Sequence, residues 1–532
     1  LTVLSGMFYA ASRHEIGSLG VTMCQYGSPF CDNPLWVLVG SLLTSFGCGS
    51  MWPQVMDPSD IVSLREGTPK IARVADLGSP HIGNPGPMQP ASDGQITVGE
   101  LVLIEGGGFG KQPTVSLGGR PAEIHWRTDG GGLIVQVPSG VAAGAQPLVV
   151  EVGGKRAETT VHVQRLAVVL DGPRGLLHTL KVSGGGGKPP TVEGYGQAVP
   201  VAHARSLALS ADGAAAYVLW QDKDRDEVAI VDLTAAKGPF LRDHRRLSHR
   251  AQTIVAASAA KVVAIIGENQ ITVWNVSEAN RPSPWPAAKL PEEARGATLF
   301  ARDPTGTLLA AGFPEQNEVA LYDIRPTRTD VVPKEVARAT VLPLARQPLL
   351  HDLRFSADGE TLWTLSGDPS IDKAQQPTQL VALSLGEKEP GQTKRSLSVG
   401  KPIEAKDAGA PLALTVGRSR PIASGATIRA VPERSQVLFS TAPRGEGQKA
   451  QPGSLFRVAE GGTLKAVLSG GPLVHSVDVS PDAGLAVCAE QGKDSPLAVT
   501  AADTEIRSTA SFSLGSTTAA ADPSSTMLLV QP

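Results

Sequence analysis

The chain holds 532 residues, too many for one hydrophobic core, so two or more domains are expected. Charged residues make up 19%, aromatics only 4%, and Gly (58) and Pro (42) are abundant, a mix that favours turn-rich β structure over helical bundles. A net charge of −3 with no long block of one sign excludes a dedicated nucleic-acid binder, whose affinity comes from a basic surface.

The first distinct segment is Leu35–Phe46, apolar, uncharged and about a dozen residues long. That is too short to span a bilayer but fits the core of a signal peptide. Gly47-Cys48-Gly49-Ser50 follows at once, and the segment resembles a bacterial lipoprotein signal. The resemblance implies export and lipidation at Cys48. Ser45 and Phe46 depart from the usual residues ahead of that cysteine, and Arg13 is the only Lys or Arg before the run. The alternative is an ordinary secretory signal behind an upstream extension. Residues 1–48 are therefore read as a leader and 49–68 as a polar tether, with Pro53 and Pro58. The other cysteines are Cys24, Cys31 and Cys488. Their spacing matches no zinc site, and Cys488, inside Leu485-Ala486-Val487-Cys488-Ala489, reads as a small buried hydrophobe.

Residues 69–165 read as a β-sandwich. Strands are expected at Ile96–Val98, Leu101–Ile104, Thr114–Leu117, Leu133–Val137, Leu148–Val152 and Thr160–Val163, several alternating apolar and polar. The order Ile104-Glu105-Gly106-Gly107-Gly108-Phe109-Gly110, Val115 to Gly119, Val135-Gln136-Val137-Pro138, then Gly144, resembles the immunoglobulin-like IPT/TIG domain. The resemblance implies an interaction or spacer module. The glycines would form a turn after the strand, and Phe109 would fold back into the core. Gly106–Lys111 is no phosphate-binding loop, because Gln112 and Pro113 stand where Ser or Thr and a helix are needed.

From 166 to 532 a phrase returns: Ser210-Ala211-Asp212-Gly213, Asp303-Pro304-Thr305-Gly306, Ser356-Ala357-Asp358-Gly359, Ser480-Pro481-Asp482-Ala483 and Asp522-Pro523-Ser524-Ser525. Each lies between short apolar runs. Units of about 40–45 residues suit a four-stranded propeller blade. Blades are expected to start near Ser206, Thr253, Thr298, Leu353, Thr427, Val477 and Thr517. The units resemble WD40 and YVTN-type repeats, as in Ile271-Thr272-Val273-Trp274-Asn275 and His475-Ser476-Val477-Asp478-Val479. Thr526–Val530 ends the chain short of a blade, while Leu166–Leu170 and Leu176–Val182 lack one of their own. Joining them closes a seven-bladed ring without sheet edges, and eight blades result if they stay separate. The fold class is thus all-β, a sandwich followed by a propeller.

Candidate sites are few. Asp222–Glu227 has alternating acids, but Glu227 stands where an EF-hand needs Gly and Leu233 where it needs Glu, so a solvated hairpin is expected. Gly184–Pro190 reads as a flexible loop. The basic stretch Arg242–Arg250 reads as a solvated inter-blade loop, with an acidic partner surface as the alternative. His203, His351 and His475 precede innermost strands and would sit near one channel face with Asp352, either as a metal or acid/base cluster or as caps of their own turns. No catalytic residue, metal set or cofactor is assigned. The expected function is binding or scaffolding at the cell envelope, periplasmic or surface-exposed, with a protein or surface glycan as partner and the membrane reached through the lipid on Cys48. A lactonase-like propeller hydrolase and a structural subunit of an envelope machine are the alternatives.

Overall fold

The computed structural model describes residues 66–78 and 95–532, except 129–130, 186–187, 223–224, 236–237, 258–259, 277–282, 285–287, 325–332, 342–348, 357, 368–377, 387–394, 406–410, 419–434, 442–452, 459–462, 472, 481–484, 492–496, 504–508 and 515–525. Cys48 and the leader lie outside the described residues. Apart from one 3-10 turn at Glu292–Ala294, every element described is a strand.

Two sheets form the sandwich. One runs Glu66–Gly78, Leu101–Phe109, Leu133–Gln136, Ile124–Arg127; the other carries Lys155–Asp171, Gly144–Val152, Thr114–Leu117 and Arg120–Ala122 in that order. Val102, Ile104 and Val135 of the first pack on Val115, Leu148 and Val150 of the second. Phe109 is buried in this core, as expected. The glycines before it form no turn. Leu101–Phe109 continues through them and pairs with Glu66–Gly78, a strand the sequence did not suggest. A Cβ on Gly106 would lie 2.1 Å from the Lys70 carbonyl oxygen, so the glycines admit a close backbone approach.

Six further sheets and part of a seventh make the propeller. The innermost strands are Ser206–Leu209, Ala251–Ala256, Leu299–Arg302, Leu349–Phe355, Pro411–Arg418, Leu473–Val479 and Thr526–Val530. Each touches the next, and the last touches the first. The ring therefore has seven blades, numbered here from Ser206–Leu209. The expected starts near Thr427 and Thr517 fall outside the described residues; blades five and seven begin instead at Pro411–Arg418 and Thr526–Val530.

Blade seven is the closure. Thr526–Val530 pairs antiparallel with Ala167–Asp171, which also pairs with Leu176–Leu180. Lys188–Gly194 completes the sheet. The 17-residue strand Lys155–Asp171 pairs with Gly144–Val152 of the sandwich along its first half and with blade-seven strands along its second. One strand thus joins the two modules without a linker.

The seven propeller cores all lie between neighbouring blades, not within them. Ala216 and Val218 face blade seven, while Tyr217 and Leu219 face blade two. Burial on both faces explains why these strands read as continuous apolar runs. Cys488 is one such residue, fully buried between blades five and six, and burial pushes its thiol up from the ordinary range. Native protein treated with iodoacetamide is expected to leave Cys488 unmodified, with alkylation by mass spectrometry only after unfolding. Rapid labelling in the folded state would refute this placement.

The repeated phrase has a local job. Its first side chain accepts the N–H five residues on: Ser210 Oγ from Ala215 (3.0 Å), Asp303 Oδ1 from Leu308 (2.6 Å), Ser356 Oγ from Thr361 (2.9 Å) and Ser480 Oγ from Leu485 (3.2 Å). Gly213, Gly306 and Gly359 sit at φ +76°, +73° and +76°, where glycine alone is unstrained. The phrase is a turn cap joining the first two strands of a blade.

Candidate functional site

The channel candidates sit on separate blades. His203 is exposed at φ +54° ahead of blade one, His351 is half-buried in blade four, and His475 lies in the innermost strand of blade six. Blades one, four and six are not neighbours. The two strand histidines occupy one structural position. The ladder skips His351 between Leu350 and Asp352, and skips His475 between Val474 and Ser476. Gln252 in blade two and Leu412 in blade five are skipped in the same way. A bulge on the innermost strand is therefore a feature of the blade, and histidine is one of three residue types that fill it.

Asp352 has a structural task. Its carboxylate accepts the N–H of Leu353 (2.7 Å) and, across the blade gap, the N–H of Leu414 (3.2 Å), with Arg354 Nε at 3.7 Å. The same lacing recurs around the channel. Ser206 Oγ accepts Ile254 N–H, Ser476 Oγ accepts Leu528 N–H and Asp478 Oδ2 accepts Val530 N–H. Among the described residues no group of three His, Cys, Asp or Glu side chains is placed to hold a metal.

Among the described residues blade one carries the densest charge network, and the sequence reading of it needs two corrections. Asp222–Glu227 does bridge two strands, Ala215–Asp222 and Arg225–Asp232, but its last two acids are not solvated. Asp226 and Glu227 are 6% and 1% exposed. The basic stretch is not an inter-blade loop at its start, because Phe240–Arg246 is the outermost strand of the blade and pairs with Arg225–Asp232. The two facts explain each other. Arg205 donates to Asp226 Oδ1, and Ala251 N–H donates to Asp226 Oδ2 at 2.7 Å. Arg246 Nε donates to Glu227 Oε1 at 3.1 Å, and His244 Nδ1 lies 2.7 Å from Oε2, so that nitrogen carries the proton. Trp220 packs edge-on against the His244 ring.

Burial alone would raise the Glu227 carboxyl, but the hydrogen bonds from His244 and Arg246 outweigh it and hold the group below its ordinary range. A carboxylate depressed on folding stabilises the protein above its unfolded pKa, and the contribution is lost as pH falls through the lower, folded value. Glu227→Gln is expected to cost about 1–3 kcal/mol in urea titrations near neutral pH. The difference from wild type should shrink on acidification below about pH 4. A pH-independent difference would overturn this assignment.

Where the modules meet, a cavity of about 220 Å³ is lined by residues of both, among them Glu123, Gln136, Pro138, Asp212 and Lys261. Lys261 Nζ lies 3.9 Å from Glu123 Oε2, and Gln136 Nε2 lies 3.4 Å from Asp212 Oδ2. Sequence reasoning missed this junction, because the residues that meet across it are far apart in the chain, Gln136 and Asp212 by 76 positions and Glu123 and Lys261 by more.

No protein-family model and no curated protein matches the chain. Solved structures that do match include a putative 6-phosphogluconolactonase from Bacteroides fragilis, at 14% identity over 69% of this chain and 98% of that one, TM-score 0.44. The Swd1 β-propeller domain of Myceliophteria thermophila matches at 13% identity over 62% and 93%, TM-score 0.39. A periplasmic gluconolactonase from Pseudomonas aeruginosa matches at 13% over 79% and 99%, TM-score 0.35. At such identities the likeness is one of fold alone, and the seven-bladed ring rests on the strand pairing described above.

Proposed function

We propose that this chain is a non-catalytic binding or scaffold protein of the bacterial cell envelope, with residues 69–165 an IPT/TIG module seated on the propeller of residues 166–532. The observation that carries the reading is the seat itself. Gln531 Nε2 donates to Val98 O of the sandwich (3.2 Å) and to Gly213 O of blade one (2.6 Å), and Arg165 bridges Val141 O and Gln531 O. Two modules locked this way present their outer loops and edges in one fixed geometry, and such preorganisation favours recognition over induced closure. The partner is a protein or a surface glycan. Export follows from the leader, with the lipid on Cys48 as anchor. Cys48→Ala is expected to move the protein from the membrane to the soluble fraction, and unchanged membrane association ends the anchor proposal.

The bulges at His351 and His475 favour a second reading, a propeller hydrolase acting at the channel. The use of Asp352 between blades weighs against it. The test uses full-length protein in intact cells, with a photo-crosslinking residue at exposed Trp126 of the sandwich or Phe240 of blade one. Discrete crosslinked partners support recognition, and their absence from both positions sinks it. Turnover of gluconolactone that His351→Ala abolishes would establish the hydrolase instead.

A further inference from the structure

We propose that the outer strand of blade one, Phe240–Arg246, is a docking edge that takes an extended acidic segment of a partner protein as a fifth antiparallel strand. The proposal rests on the recognition reading above and gives it a place and a chemistry. The strand is paired on one side only, from Glu227 opposite Arg246 to Asp232 opposite Phe240, and no described strand pairs with its other side. An open edge of seven residues is a template for strand addition.

Blades two, four and six blunt the same edge. The outer position of blade two is broken into Ser283–Pro284 and Ala288–Lys289, and that of blade four into Leu397–Val399 and Ile403–Ala405. In blade six, Thr509–Ser513 lies against Lys188–Gly194 of blade seven. Blade one keeps a continuous outer strand, as do blade three at Lys334–Thr340 and blade five at Leu464–Gly471, but of these three only the blade-one strand has exposed large apolar side chains among the described residues, Phe240 (41%) and Leu241 (36%). Apolar side chains left in water beside an edge that no described strand pairs gain from a covering strand.

Charge selects the occupant. Residues 240–250 contain Arg242, Arg245, Arg246 and Arg250 against a single acid, Asp243. Glu227, which pairs Arg246 and His244, is buried beneath the strand, so an approaching chain meets the basic groups first. The edge also has a guard. Asp243 accepts the His244 N–H at 2.8 Å and pairs with Arg245 at 2.8 Å. A docking strand supplies a carbonyl for that N–H and carboxylates for that guanidinium, so it competes with Asp243 and with nothing in the core.

The probe is a fluorescein-labelled peptide of about ten residues alternating glutamate with valine, read by anisotropy against full-length protein. Saturable binding is expected, lost when lysine replaces glutamate in the peptide, and weakened about tenfold or more by Arg245→Glu and separately by Phe240→Ser. Asp243→Ala should tighten it. Thermal melts establish that each variant is folded, and both weakening substitutions lie on exposed side chains. No saturable binding by wild type, or binding that neither Arg245→Glu nor Phe240→Ser alters, overturns the proposal. Sedimentation as a dimer that Arg245→Glu dissociates would assign the edge to a second copy of this chain and likewise overturn it. Failure here with in-cell crosslinks retained at Trp126 removes the edge and leaves the broader reading standing.

Discussion

Removal of residues 526–532 is expected to abolish cooperative folding of the propeller. Thr526–Val530 is the innermost strand of blade seven and is paired residue for residue with Ala167–Asp171. Leu528 and Val530, 1% and 6% exposed, complete the core between blades six and seven with Ala167, Val169 and Val487. The same strand satisfies Ser476 and Asp478 on its neighbour. Without it the buried stretch Ala167–Asp171 becomes a sheet edge, and two inter-blade cores open to water. A milder form of the experiment is Leu528→Ala, for which a loss of about 2–5 kcal/mol is expected from the buried side chain and the cavity it leaves. Chemical denaturation and limited proteolysis read both. A truncated protein that unfolds at the wild-type midpoint would show that the ring does not depend on this strand.

Much of the architecture was legible because its signals are local. The turn phrase recurs since one side chain and one glycine do the same work in each copy, as Ser210 with Gly213 and Ser356 with Gly359 show. Blade closure was legible from a mismatch, strands without a blade at one end and a blade without strands at the other. What the sequence hid was long-range. Glu66–Gly78 carries Lys70, Arg73 and Asp76 and has no clean alternation, so nothing marked it as a strand until Leu101–Phe109 offered glycines to lie against. The blade start expected near Thr517 lies outside the described residues, while the strand expected after the Asp522 phrase, Thr526–Val530, is the innermost strand of blade seven. Acidic Asp226 and Glu227 looked like solvated hairpin residues because their partners lie up to 21 positions away, His244 and Arg246 on the next strand and Arg205 just ahead of the innermost one. The site candidates pose a related problem. A histidine before an innermost strand is visible in one dimension, but whether three such residues share a channel face depends on the level each takes along the ring axis, which is a property of the assembled ring.

Gly99→Ala is expected to loosen the sandwich from the propeller, although the change adds one methyl group. Gly99 sits at φ +85° in the turn Thr97–Glu100, which is closed by Thr97 N–H to Glu100 Oε2 at 2.7 Å. A Cβ there would lie 2.6 Å from Asp212 O and 2.8 Å from Ala214 N, both backbone atoms of the blade-one turn that cannot rotate aside. The left-handed backbone alone costs about 1–3 kcal/mol. Gly119 provides the control: it has φ +78° and nothing within 4 Å of its Cβ position, so Gly119→Ala incurs the backbone cost without the clash. The difference between the two variants therefore measures the junction. Gln531→Ala attacks the same seat from its other side, leaving Val98 O, Gly213 O and Leu166 N–H without their partner at about 1–3 kcal/mol for each buried group. Scanning calorimetry should show one cooperative transition for wild type and Gly119→Ala, and two for Gly99→Ala as the sandwich melts ahead of the ring. Equal behaviour of the two alanine variants would mean that the modules hold together through the shared strand Lys155–Asp171 alone, and the fixed geometry on which the recognition reading depends would lose its physical basis.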